Sequence, residues 1–172
     1  PARALLVDRP EPEPAHGEVL LEVRATALNR ADLLQLRGKY PPPPGESPVP
    51  GLEAAGVIAA LGPGVERWRV GDRVAALLAG GGQAERAAVP AGQLFEIPPG
   101  LSFVQAAALP EAAITSWTNL VEEGGLQAGE WVLVSGATSG VGTFALQLAR
   151  ELGGRPIGAA RDSDRLHLLA DL

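Results

Sequence analysis

Trp131-Val132-Leu133-Val134-Ser135 runs without a break into Gly136-Ala137-Thr138-Ser139-Gly140-Val141-Gly142. The glycine segment in turn opens an amphipathic stretch, Gly140 to Leu152, that stops at Gly153-Gly154. A run that reads as a buried strand and becomes a helix through a tight turn of small residues leaves few folds open. Pro156-Ile157-Gly158-Ala159-Ala160 reads as a second strand, with Asp162 or Ser163 able to cap a helix after it. The spacing suits a parallel strand-helix-strand crossover. Such a turn lets main chain come close to a pyrophosphate, whose charge the amides at a helix N-terminus meet. A glycine-rich turn alone is only a turn; the strand-turn-helix-strand context is what the binding mechanism requires. Ala137, Ser139, Gly140, Val141 and Gly142 are therefore candidate cofactor-binding residues.

The second strand bears on the choice of dinucleotide. NAD-selective units place an acidic side chain on the ribose hydroxyl about 20 residues after the glycines. Here the strand ends Ala159-Ala160-Arg161, with Arg165 close behind. Arg161 and Arg165 suit a 2′-phosphate, which favours NADPH. Asp162 and Asp164 are helix caps or repel that phosphate, and both arginines also suit a solvated helix start.

The first ~100 residues have a different texture, with short strands separated by Gly and Pro. Candidate strands are Arg3–Val7, Glu18–Ala25, Ala55–Ala60, Asp72–Leu77 and Glu85–Val89. Asn29 to Arg37 reads as a helix offering Leu33, Leu34 and Leu36 to the interior and ended by Gly38. Pro41 to Pro44 form a stiff connector. Gly 22 and Pro 16, with only 4% aromatic residues, point to many tight turns around an aliphatic core. Many short strands at this spacing suggest a small barrel. From Leu101 onward, Ser102-Phe103-Val104-Gln105 fits a capping box, and Pro110-Glu111 starts a helix running to about Glu122.

A net charge of -6 argues against a nucleic-acid role. No apolar run reaches the ~20 residues that span a bilayer, and no signal-peptide pattern opens the chain. With no cysteine anywhere, the expected compartment is the cytoplasm.

Several ordered segments resemble the zinc-free quinone oxidoreductase branch of the medium-chain dehydrogenase/reductase superfamily. They are Ala27-Leu28-Asn29-Arg30-Ala31-Asp32-Leu33-Leu34, Arg37 to Pro43, Gly51 to Val57, Val70 to Val74 and Gly80 to Glu85. The resemblance covers essentially the whole chain. It implies a GroES-like barrel domain over residues 1–109, then the N-terminal part of a Rossmann NADP-binding domain, apparently truncated, over 110–172. It further implies that Asn29, Tyr40 and Thr115 surround nicotinamide and substrate, and that the Ser139 hydroxyl faces phosphate or substrate. Tyr40, Ser139 and Asn29 are the candidate catalytic residues, and Asn29 and Thr115 join the cofactor-binding set. Most of the branch has small residues and a glycine where this chain has Thr138 and Ser139. Zinc-dependent relatives carry Gly-His-Glu where this chain has Gly51-Leu52-Glu53. With Leu52 unable to ligate and no cysteine, their metal site cannot be built, so the expected metal is none.

Each of these residues has a plainer reading. Asn29 suits a helix N-cap. Tyr40, the one tyrosine, suits packing on the proline loop, and Thr115 suits a hydroxyl bonded to the preceding turn. Glu53 reads as structural rather than as a base.

The expected reaction is hydride transfer from NADPH to a small quinone, a good acceptor that needs little acid-base help. Rival readings are an enoyl-thioester reductase of the same superfamily and a non-catalytic NADPH-binding module. A short-chain dehydrogenase is set aside, because ~130 residues precede the loop and no Tyr or Lys follows it. Full-length family members pair through Rossmann edge strands, so a homodimer of the full-length protein is an open expectation.

Overall fold

The computed structural model describes residues 5–161 together with 165, 167 and 169. The chain forms two compact units, Pro1–Pro110 and Glu111–Leu172.

The first unit contains β1 (Glu18–Thr26), α1 (Arg30–Gln35), β2 (Glu53–Leu61), β3 (Arg73–Leu77), β4 (Arg86–Pro90), β5 (Leu94–Glu96) and α2 (Phe103–Ala107). The strands form one antiparallel sheet in the order β4-β1-β2-β3-β5. Alternation decides its faces. Val19, Leu21, Ala54, Ile58, Val74, Ala76, Ala87, Val89 and Leu94, drawn from all five strands, bury into a single cluster. A sheet whose strands all feed one core must curl around it, which gives the barrel its interior. The intervening Ala55 and Ala75 point the other way, where α2 covers them with Ala106 and Ala107. α2 starts at a reciprocal cap: Ser102 Oγ accepts from the Gln105 N–H and Gln105 Oε1 accepts from the Ser102 N–H.

The second unit contains most of α3 (Pro110–Trp117), a π-helical turn over Thr118–Glu123, then β6 (Trp131–Ser135), α4 (Gly140–Glu151) and β7 (Arg155–Ala159). β6 and β7 are parallel, from Trp131 opposite Arg155 to Ser135 opposite Ala159. α4 packs on them through Ala145, Leu146 and Ala149, in a cluster with Leu120, Val134 and Ala137.

The structure departs from the sequence expectations in several places. Of the proposed strand Arg3–Val7, the first two residues lie outside the described ones. Leu5, Leu6 and Val7 are exposed and in no strand, since no neighbour pairs with them ahead of Pro10, Pro12 and Pro14. α1 is shorter than Asn29–Arg37, and it turns Asp32, not Leu33, inward: Asp32 is 2% exposed and Leu33 53%. A helix this short is docked by the hydrogen bonds of one carboxylate rather than by a leucine stripe. The helix from Pro110 leaves α geometry after Trp117, where Asn119 Nδ2 donates to the Thr115 carbonyl at 2.7 Å. β6 is not buried on both faces. Trp131 and Leu133 are each 67% exposed, because α4 covers the side carrying Val132 and Val134. β5, only three residues long, gave no readable pattern. The expected helix caps Asp162 and Ser163, and Asp164, lie outside the described residues.

Candidate functional site

In the first unit the candidate side chain Asn29 sits where β1 gives way to α1. Asn29 occupies the N-cap position with extended backbone, φ -112° and ψ 159°. Asp32 closes the turn: its Oδ2 accepts from the Asn29 N–H at 2.7 Å and its Oδ1 from the Gly51 N–H at 2.9 Å. Asn29 Nδ2 donates to Glu53 Oε1 at 2.8 Å, and Glu53, at the head of β2, is 3% exposed. The Glu53 carbonyl accepts from Thr26 Oγ1 at 2.8 Å. Two buried carboxylates thus join the segment bearing Asn29 to the Gly51-Leu52-Glu53 turn.

That turn is gripped from behind by main chain alone. The Gly81, Gly82 and Gln83 N–H groups donate to the carbonyls of Val49, Gly51 and Pro50 at 2.7, 3.0 and 2.9 Å. Gly51 has φ +113°, a conformation that favours glycine. Leu52, 7% exposed, adds only apolar bulk. Tyr40 lies beyond α1 and is 46% exposed.

In the second unit the candidate binding residues lie in the loop between β6 and α4. Ala137 is fully buried, and its N–H donates to the Ala159 carbonyl at 3.0 Å, fastening the loop to the end of β7. Ser139 is the N-cap of α4: its Oγ accepts from the Gly142 N–H at 3.0 Å. The Ser139 hydroxyl oxygen is therefore engaged by the helix it starts, which is a physical reason for serine here in place of the branch's usual glycine. The Gly140 and Val141 N–H groups, first in the helix, have no acceptor among the described residues. An added Cβ at Gly140 would meet nothing within 4 Å, so the fold itself does not require glycine there. Open space over unpaired amides is what a close-approaching phosphate needs. Arg161 is exposed two residues past β7, at the same carboxyl edge of the parallel pair, and Arg165 is exposed as well.

Thr115 lies in α3, where its hydroxyl donates to Glu111 Oε1 at 3.4 Å. Its neighbour Ser116, 2% exposed, donates from Oγ to the Val141 carbonyl at 3.4 Å and so links α3 to the first turn of α4. Sequence reading passed over Ser116, since a serine inside a helix carries no signal of what it faces. It passed over Asp32 too, although Asn-x-x-Asp at a helix start is a capping pattern. Among the described residues no group of three or more His, Asp or Glu side chains is placed to share a metal ion. No helix there is long and apolar enough to cross a membrane.

Residues 15–99 match the family model of the alcohol dehydrogenase GroES-like domain. The quinone oxidoreductase of Thermus thermophilus, solved also in complex with NADPH, superposes with a TM-score of 0.77 and 41% identity over 94% of this chain and 50% of its own. The chain belongs to the medium-chain dehydrogenase/reductase superfamily. Three further proteins are similar to the chain. The CurK enoyl reductase superposes with a TM-score of 0.84 at 31% identity, covering 96% of this chain and 51% of that one. A mycocerosic acid synthase-like polyketide synthase of Mycobacterium tuberculosis is 38% identical over 165 residues, 96% of this chain and 8% of that protein. The synaptic vesicle membrane protein VAT-1 homolog of Rattus norvegicus is 44% identical over 139 residues, 81% of this chain and 34% of its own length. The chain spans about half the length of these solved relatives and about a third or less of these curated ones.

Proposed function

We propose that this chain is the substrate barrel and nucleotide-binding start of an NADPH-dependent reductase that delivers hydride to quinones without a metal. The observation that carries the nucleotide half is the start of α4. Two amides there lack acceptors among the described residues, beneath a glycine whose Cβ position is empty, with Arg161 at the same strand edge. The residues fit a pyrophosphate on the loop and a 2′-phosphate near Arg161. When bound, the nicotinamide supplies the hydride. The protein's part is to orient the acceptor and meet the charge that develops on its oxygen. Asn29 and Tyr40 are the donors for that oxygen, and Leu52 stands where a metal-binding relative needs histidine, which supports a reaction run on hydrogen bonds alone.

Two measurements test this reading. Arg161→Ala weakens NADPH binding by about tenfold or more, the scale of a lost charge-assisted hydrogen bond, while NADH binding is unchanged. Equal losses for the two nucleotides would remove the 2′-phosphate contact. Tyr40→Phe lowers turnover with a quinone more than it weakens NADPH binding; unchanged turnover would take Tyr40 out of the reaction.

A second reading, reduction of an enoyl thioester, draws on the likeness to the polyketide synthase over nearly the whole chain and to the CurK enoyl reductase. A quinone and an enoyl thioester both accept hydride into a system conjugated to a carbonyl, so one donor pair serves either. Turnover of each with NADPH, side by side on the full-length enzyme, separates them.

A further inference from the structure

Asp32 is the capping-box partner of Asn29: its Oδ2 accepts from the Asn29 N–H at 2.7 Å, while its own N–H bonds the Asn29 main-chain carbonyl at 3.2 Å rather than the side chain. The carboxamide itself is held through Nδ2, which donates to Glu53 Oε1 at 2.8 Å. Glu53 is 3% exposed, and a carboxylate accepts but cannot donate, so only the nitrogen end of the amide can face it. The main chain on both sides is pinned through Asp32, 2% exposed, which accepts from the Asn29 and Gly51 N–H groups at 2.7 and 2.9 Å. One hydrogen of Nδ2 is thereby consumed, the oxygen is turned away, and the second hydrogen is what the amide can still offer.

We propose that Glu53 is a positioning residue: it sets the direction of the Asn29 amide so that its one remaining N–H meets the carbonyl oxygen of the hydride acceptor. The role in turnover rests on the reductase reading above, whereas the orientation of the amide does not. Glu53 touches no reacting atom in this scheme and acts only through Asn29. An amide at position 53 would keep the shape but lose the direction, because it can either accept from Nδ2 or donate to Oδ1.

The sequence makes the test direct, since Asn29 and Asn119 are its two asparagines. In protein labelled with 15N-asparagine, the wild type shows two carboxamide pairs. Glu53→Gln is expected to shift or split the Asn29 pair and leave that of Asn119 unmoved. A single unshifted Asn29 pair in Glu53→Gln would overturn the proposal. In the full-length enzyme the same variant lowers turnover about tenfold and changes NADPH affinity less than twofold.

The double variant Asn29→Asp with Glu53→Gln separates direction from mere attachment. It restores a hydrogen bond of reversed sense, so thermal stability recovers toward wild type, but position 29 then has no donor and turnover stays low. Recovery of turnover together with stability would show that attachment alone matters and sink the proposal. If the wild-type enzyme turns over neither acceptor, the reductase reading fails, and the two-asparagine spectrum alone decides whether Glu53 directs the amide.

Discussion

Gly142→Ala lowers both thermal stability and NADPH affinity, whereas its near neighbour Gly140→Ala lowers the affinity alone. At Gly142 an added Cβ collides with the Gly136 carbonyl oxygen and lies 2.7 Å from Ala137 Cα, both main chain that cannot rotate aside. The loop must then open. Overpacking of this kind costs about 1–3 kcal/mol and moves the amides that would hold a phosphate. At Gly140 the same methyl group meets nothing within 4 Å, in a residue without positive φ. Alanine there should raise stability by about 0.4–1 kcal/mol through the unfolded chain. It should also occupy the space a pyrophosphate would enter, at a loss of about tenfold in affinity for each 1.4 kcal/mol of contact forgone. Melting curves with and without NADPH, beside a direct titration, read both effects. If Gly140→Ala binds NADPH like the wild type, the start of α4 is not the phosphate site.

The largest loss of stability is expected for Gly51→Ala. Its φ of +113° excludes comfortable alanine, and the new Cβ would collide with the Gln83 nitrogen and lie 2.6 Å from the Gly82 carbonyl carbon. Backbone strain of about 1–3 kcal/mol and a comparable overpacking term together lower the melting midpoint of a barrel this size by roughly 15 °C or more. The residue also donates to Asp32 and precedes Glu53 by two positions, so the fault spreads to Asn29. A midpoint within a few degrees of wild type would mean that the Gly81–Gln83 segment is held more loosely than its three main-chain hydrogen bonds imply.

How much of this could be read beforehand depended on whether a pattern is local. The glycine loop, its strand and its helix were plain, because a run of small residues, an amphipathic period and a stop at Gly153 are all written within a few residues. The capping box at Ser102 was equally plain, and so were β1 to β4, where alternation and glycine breaks agree. What sequence could not give is what a side chain meets across the fold. Asp32 went unremarked on a leucine-bearing helix, yet a contact 19 residues away to the Gly51 N–H makes it the buried member. Leu33 misled for the same reason, as helical period cannot say which side of so short a helix docks. Ser139 offered a hydroxyl, and local sequence could not say that its oxygen accepts from the Gly142 N–H, leaving the O–H to donate.

The grip on the strand that starts at Glu53 has a bearing on how such a protein diversifies. Because Val49, Pro50 and Gly51 meet Gly81, Gly82 and Gln83 through carbonyl oxygens on one side and amide hydrogens on the other, no side chain takes part in these three hydrogen bonds. Residues at 49 and 83 are then free to drift in size and polarity over generations while the carboxylate at the head of the strand keeps its place. A lineage can in this way reshape what the barrel admits without retuning the atoms that hold Asn29.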